Sequence, residues 1–502
     1  MVTICAMTAT IMQALDTTIA NVALPYMQGT LSASQDQINW VLTSYIVAAA
    51  IMTAPVGWIA NRFGRKRIFI VCSAGFTIAS VMCGLAQDIN QMVVFRLLQG
   101  VFGAALVPLS QAVMLDTYAL HERAKAMAIW GMGVMMGPIM GPSLGAWLTE
   151  TYSWHWVFFV NLPFGIFTVL GLIIFMDETK KNLELRFDWF GFTALAIAIG
   201  ALQLALDRGE QLGWLESNEI IAEFIIAGIG FYYFLAHSLT TDRPFIQFAL
   251  FKDRNFVGGC VFMAVMGLVL FSTMALSSPF LQNVIGYPII TAGLLLASRG
   301  CGTFVAMMLV GRLMRFIEAR TLIICGLSLT AASLFYMTGW TDQTGGTEIV
   351  VISVVQGFGF GLVFVPLSTV AFLTLPNHLR TDGTSMLTLM RNVASSIGIS
   401  LVIAQLTQGS RYTYALLSEH INPFNHALQM PNVRGMIDLA TDQGRAMADL
   451  MVKVQAQIIA FSHDYQMVMI FTACAIPLAI MIGSTKAALR AQSAAPDHAV
   501  ME

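Results

Sequence analysis

Residues 99–110 read QGVFGAALVPLS, and residues 356–368 read QGFGFGLVFVPLS. The two match with one insertion, at an offset near 257. A weaker echo links GWIANRFGRK at 57–66 with GRLMRFIEAR at 311–320, at an offset of 254. Offsets that agree this closely describe a duplicated chain. Both copies of the stronger repeat lie in long apolar runs, so the duplicated unit is a set of membrane-crossing helices.

The composition requires a membrane. The 502 residues are 57% hydrophobic and only 11% charged, with a mean hydropathy of +0.72. A soluble surface of this size needs far more charge. The net charge of -2 argues against a nucleic-acid partner. The seven cysteines are scattered through apolar runs, so neither a disulfide nor a metal site is expected. The first apolar run has no basic segment before it and is too long for a signal peptide, so it is expected to be a retained helix.

Fourteen runs reach the length that crosses a bilayer. They include 2–24 (span 1), 39–60 (span 2), 91–115 (span 4), 124–147 (span 5), 384–406 (span 13) and 465–485 (span 14). With the N-terminus inside, 18 of the 26 basic residues fall in cytoplasmic segments, 5 on the opposite side and 3 within spans. That split obeys the positive-inside rule, and losing one span would destroy it. The expected fold is an all-α polytopic membrane protein. A six-helix half at 1–176 precedes a linker at 177–254 that carries two extra membrane helices. A second six-helix half at 255–485 and a cytoplasmic tail at 486–502 follow. An even insert keeps both halves in the same orientation. The long loop at 407–464 faces outward, with an INPFN turn at 421–425 between two helix-like stretches, 407–420 and 436–462.

An ionisable residue inside a span is costly and is a functional candidate by default. Asp16, in LDTTIANVALP, lies roughly 12 Å from the outer end of span 1, and Arg96, in FRLLQG, roughly 8 Å from that of span 4. At such similar depths the two can pair. An aspartate tuned by burial and by an arginine suits a proton carrier. The alternative is a fixed ion pair that only orients helices. The polar run of Gln13, Asp16, Thr17, Thr18 and Asn21 points to a wet substrate cavity. Arg299 and Arg391, inside spans 10 and 13, either line that cavity, bond carbonyls or snorkel. Three arginines and few acids in the spans lean toward neutral or anionic apolar substrates. Asp207 and Glu223 lie near outer ends, where solvation is expected. After span 2, between Gly57 and Gly64, Arg62 begins a tight basic turn with Arg65, Lys66 and Arg67. It anchors the inner side, and Arg65 can also pair with Asp116 at the inner end of span 4 to latch one conformation.

Span 5 contains WGMGVMMGPIMGPSLGAWL at 130–148. Gly133, Gly137, Gly141 and Gly145 recur every four residues and stack on one helix face. The result is a groove in which another helix can lie close. Pro138 and Pro142 each remove a backbone donor, so the helix is expected to bend. Such a face is either plain packing or part of a moving joint.

These motifs together resemble the major facilitator superfamily. GWIANRFGRKR is similar to its loop signature between spans 2 and 3, with Asn61 where aspartate is usual. FRLLQG resembles its span-4 arginine motif. The glycine run of span 5 resembles the antiporter motif of exporters, with Pro142 and Ser143 where a second glycine is common. LDTTIANVALP resembles the span-1 motif of fourteen-span drug:proton antiporters. LDRGEQLGW at 206–214 and SEHINPFN at 418–425 look closer still to EmrB-like inner-membrane exporters. The resemblance implies two six-helix halves plus two inserted helices. It implies proton-driven efflux of hydrophobic drugs, with Asp16 and Arg96 in proton coupling and no cofactor beyond the proton gradient. It also implies a periplasmic adaptor of the EmrA kind and an outer-membrane channel of the TolC kind, docked at the long outer loop. The 31 methionines suit a pocket for many apolar shapes. A nutrient symporter of the same fold, or a non-transporting receptor or scaffold, are the alternatives. No nucleotide-binding GxxxxGK[ST] loop is present, so neither ATP-driven pumping nor enzyme activity is expected.

Overall fold

The computed structural model describes residues 1–479, apart from 120–121, 180, 242–243, 377–378, 423–424, 427, 429 and 431–438, and without the side chains of 35–36 and 138–139. The tail at 486–502 lies outside the described residues. The N-half begins with α1 (Val2–Thr30) and the bent pair α2 (Gln35–Thr53) and α3 (Val56–Phe63). It continues with α4 (Arg65–Gly84), α5 (Ile89–Gly103), α6 (Leu106–Thr117), α7 (Arg123–Thr151), α8 (Trp156–Phe159) and α9 (Asn161–Phe175). Two inserted helices follow, α10 (Trp189–Leu212) and α11 (Asn218–Thr240). The C-half holds α12 (Arg254–Pro279), α13 (Ile289–Leu313), α14 (Ala319–Met337), α15 (Gly346–Val370), α16 (Arg380–Ser418) and α17 (Asp442–Leu478). Among the described residues, 13 helices are long and apolar enough to cross a membrane, or up to 14 with the α2–α3 pair counted as one span.

Local chemistry sets the breaks. Ser34 opens α2 with a capping box: its hydroxyl accepts from the Gln37 amide at 3.2 Å, and Gln37 accepts from the Ser34 amide at 3.0 Å. The 56° bend between α2 and α3 falls at Pro55, which has no N–H to continue the ladder. Gly64 separates α3 from α4 with φ of +95°, a backbone state that side chains disfavour. α7 is helical through both of its prolines.

Packing repeats with the sequence. In the N-half α5 packs on α2 and α4, and α1 on α7 and α9; in the C-half α15 packs on α13 and α14, and α12 on α16 and α17. The halves meet reciprocally, α7 on α13 and α16 on α2 and α3. Equivalent helices therefore make equivalent contacts, as a parallel duplication requires. The insert breaks the symmetry. α10 sits against α2 and α16 at one seam only, while α11 packs on α10. One buried cluster joins the halves, carrying Met127, Trp130 and Met135 together with Met263, Met307 and Phe364.

The segment at 407–464 departs from the loop expected. α16 runs 39 residues without a stop, and α17 runs 37. At 1.5 Å per residue, α16 is about 58 Å long, against a hydrocarbon core of about 30 Å. The helix-like stretches are thus extensions of the flanking spans, forming a hairpin beyond the bilayer. No proline interrupts 407–418 or 442–464, so nothing ends either helix at the membrane edge. Tyr414 pins the hairpin by donating to Asp449 at 2.5 Å. Part of the INPFN turn, 423–424, lies outside the described residues.

Candidate functional site

Asp16 is fully buried in the N-half and accepts three side-chain hydrogen bonds. Arg96 Nη1 donates to its Oδ2 at 2.7 Å, while Gln99 Nε2 and Asn161 Nδ2 donate to its Oδ1 at 2.8 and 3.0 Å. Arg96 is itself fully buried. It also bonds Gln99 Oε1 at 2.8 Å and the Val41 carbonyl at 3.0 Å, and its guanidinium lies 4.5 Å from the Tyr45 ring centre. Asn161 is held in turn by Ser80 Oγ at 3.0 Å. One carboxylate thus collects α1, α2, α4, α5 and α9. A buried ion pair persists only when its remaining donors and acceptors are satisfied, and Gln99 and Asn161 do that here. Gln99 was missed, although its place one turn after Arg96 in FRLLQG was the signal that could have found it. Asn161 and Tyr45 carried no sequence signal.

The polar run of α1 divides between two faces. Gln13 and Thr17 are half-buried and Asn21 is exposed, one turn apart on one side. Asp16 is turned about a quarter of the way round the helix from the centre of that side and is fully buried, so it does not border open space. One connection remains, from Gln13 Nε2 to the Tyr45 hydroxyl at 3.3 Å, beside Arg96. The four residues expected to share a cavity are divided between the halves. Gln13 and Asn21 belong to the N-half. Arg299 is buried in the C-half, where Nη2 reaches Ser277 Oγ at 3.4 Å and Nε has no partner among the described residues. Among the described residues, the Arg391 side chain bonds only its neighbour Asn392, at 3.3 and 3.4 Å. No hydrogen bond joins the two pairs among the described residues. Asp207 is not simply solvated either: it accepts from Thr43 of α2. Glu223 lies 3.6 Å from Arg208, which bonds Glu219 at 2.5 Å.

On the face that carries the Arg62–Arg67 turn, here the basic face, Arg65 pairs with Asp116. Both belong to the N-half, so this pair alone cannot latch the halves. Arg380 of α16 completes it, reaching Asp116 Oδ1 at 3.0 Å. A second crossing runs from Asn61 Nδ2 to Asp382 Oδ2 at 3.4 Å. Asn61 fits where an aspartate would not, because a carboxylate there would confront Asp382. Gly57 lets α16 approach, since a Cβ would lie 2.8 Å from the Asp382 Cα. Gly64 faces Glu178. Arg62 takes no part in the crossing; it donates to the Leu183 carbonyl at 3.2 Å and to the Leu185 carbonyl. Arg380 and Asp382 form an RTD triplet in the sequence, but nothing in that triplet says that the opposite half supplies their partners.

The glycine ladder packs inside the N-half. Gly137, Gly141 and Gly145 lie against Ala14, Thr18 and Ile19 of α1. Thr18 donates to the Gly137 carbonyl at 3.0 Å. Gly133 is looser, 3.6 Å from Ile11 and Met7 for an added Cβ. Other faces of α7 meet the C-half: Trp130 stacks on Phe364 with ring centres 5.9 Å apart, and a Cβ on Gly293 of α13 would lie 3.2 Å from Ser143 Oγ. Pro142 lies on this helix, and the Pro138 ring lies outside the described side chains.

A duplicated helical bundle with a buried ion pair in one half and charged crossings between halves defines a membrane transporter of two pseudo-equivalent halves. The pattern of the Major Facilitator Superfamily matches residues 6–399, and the chain belongs to that family. Multidrug export protein EmrB of Escherichia coli (strain K12) is 35% identical over 432 residues, covering 85% of this chain and 83% of the relative. Fatty acid resistance protein FarB of Neisseria gonorrhoeae is 33% identical over 421 residues, covering 84% and 83%. Among solved structures, the proton:xylose symporter XylE superposes with a TM-score of 0.58 at 14% identity, covering 95% of each chain. That likeness shows the fold alone.

Proposed function

We propose that this chain exports hydrophobic compounds across the bacterial inner membrane in exchange for protons, by alternating access. The observation that carries the reading is the Asp16 carboxylate, buried among Arg96, Gln99 and Asn161. Protonating Asp16 cancels the charge that holds Arg96, so proton arrival weakens a joint shared by five helices. Gln13 and Tyr45 offer a polar approach to Arg96 from the half-exposed face of α1. The proton gradient then supplies the driving force, with no cofactor.

The halves are tied on the basic face through Asp116–Arg380 and Asn61–Asp382. With the basic segments and both termini cytoplasmic, this is the state closed to the cytoplasm. The substrate class is apolar and neutral or anionic, which suits the membrane-embedded Arg299 and Arg391. The names of the two bacterial relatives, one for multidrug export and one for fatty acid resistance, support that range. The α16–α17 hairpin on the opposite face suits docking of a periplasmic adaptor and, through it, an outer-membrane channel.

Asp16→Asn tests the reading. In vesicles with an imposed proton gradient, this variant should lose gradient-driven dye export while still exchanging dye across the membrane without a gradient. Full gradient-driven export by the variant would overturn the assignment.

A further inference from the structure

The C-half contains a second buried carboxyl with opposite surroundings. Asp464 of α17 is 0% exposed, and neither of its oxygens has a hydrogen-bond partner among the described residues. It lies one turn beyond Ala460, which faces Gly409 of α16, so it projects into the seam between the two long helices. The titratable groups on the packed helices, among them Arg391 and Arg411 on α16, Tyr336 on α14 and Cys260 on α12, do not bond it. Beside it on α17, His463 is exposed. Next to it, Tyr465 bonds Ser277 Oγ at 3.4 Å, which Arg299 also reaches at 3.4 Å.

A carboxylate sealed from water with no donor is far costlier than the neutral acid, which only leaves a weaker pair of polar atoms unmatched. Asp16, with three donors, accommodates a negative charge; Asp464, with none, does not. From this geometry we infer that Asp464 is a second proton-binding site of the transport cycle. It carries a proton in the state closed on the basic face and yields it when the α16–α17 seam opens to water. The O–H bond forms on the carboxyl with a proton taken from solvent, and that proton returns to solvent on release. No other acceptor is required. The coupling part of this inference rests on the proton-exchange reading above; the protonation part does not.

Two measurements on the full chain in lipid nanodiscs and vesicles test it. Infrared spectra at neutral pH should show a protonated-carboxyl band that Asp464→Asn removes and Asp16→Asn leaves in place. Asp464→Glu, which keeps a carboxyl, should retain a shifted band and guards against an Asn variant that misfolds. In vesicles, the number of protons moved per exported dye should fall by one in Asp464→Asn. An infrared band indifferent to Asp464→Asn means that the group is ionised, and the site assignment fails whatever the chain transports. Loss of the band with an unchanged proton ratio means that the proton never leaves, which overturns the coupling role while leaving the antiport reading intact.

Discussion

Gly133 and Gly137 stand one turn apart on the same face of α7, yet a methyl group added to each should have very different effects. A Cβ on Gly133 would rest 3.6 Å from Ile11 Cγ1 and from Met7 Cε, an ordinary contact. A Cβ on Gly137 would come within 2.5 Å of the Ala14 Cβ and closer still to the Ala14 backbone. Carbon atoms rest about 3.5–4.0 Å apart, so α1 and α7 would have to part by roughly 1 Å at that level. A backbone cannot swing aside as the tip of a side chain can, and overpacking of this kind costs about 1–3 kcal/mol. Both substitutions share the helix-forming gain of about 0.5–1 kcal/mol. The gap between them is therefore the clash itself. Thermal unfolding of the purified protein should place Gly133→Ala at or above the wild type and Gly137→Ala clearly below it. Gly137→Ala should also impair dye export, because Asp16 lies two residues beyond the displaced Ala14. Equal melting temperatures for the two variants would refute the close approach of α1 and α7.

Asp116→Asn removes the charge shared by Arg65 and Arg380. Asp116 is 34% exposed, so the effect is modest, about 0.5–1 kcal/mol, or a few-fold in population. Spin labels on α6 and α16 at the basic face should report a larger open fraction; unchanged distances would refute the crossing as a latch. Arg96→Lys keeps the charge but loses the fork that reaches Asp16, Gln99 and the Val41 carbonyl at once. Each lost charge-assisted bond costs about 1.5–3 kcal/mol, so this variant should unfold at a clearly lower temperature. A melting temperature equal to the wild type would mean that a point charge suffices.

Periodicity and charge placement made the span count legible, because each span must be both apolar and long. The pairing of Asp16 with Arg96 was legible for the same reason: two costly charges at one depth have few other partners. What the sequence hid were contacts set by rotation about a helix axis. Thr17 and Asn21 share a face with Gln13, while Asp16 lies off it, so a polar run that looked like one cavity wall is two surfaces. The glycine ladder was visible as a groove, but only packing says that α1 fills it and that the C-half meets α7 elsewhere. The ends of α16 and α17 were hidden by a change of solvent, not of conformation. A helix that leaves the bilayer loses its apolar signature while its backbone continues unbroken.

The duplication also shows that the buried charges are unequal between the halves. At the repeat offset, Arg96 and Gln99 of α5 correspond to Ser353 and Gln356 of α15, and Asp16 falls opposite Thr273 of α12. The scaffold of the N-half site is thus present in the C-half with both charges removed. Gln356 and Ser353 remain buried there with no side-chain partner among the described residues, whereas Gln99 is bonded to Arg96 and Asp16. Two charged copies would stiffen both halves alike, and neither half could respond alone. With the ion pair confined to the N-half, the bonds that tie α1 to α5 and α9 through Asp16 belong to that half alone. That difference sets the two halves apart on either side of the α7–α13 and α16–α2 seams where they meet.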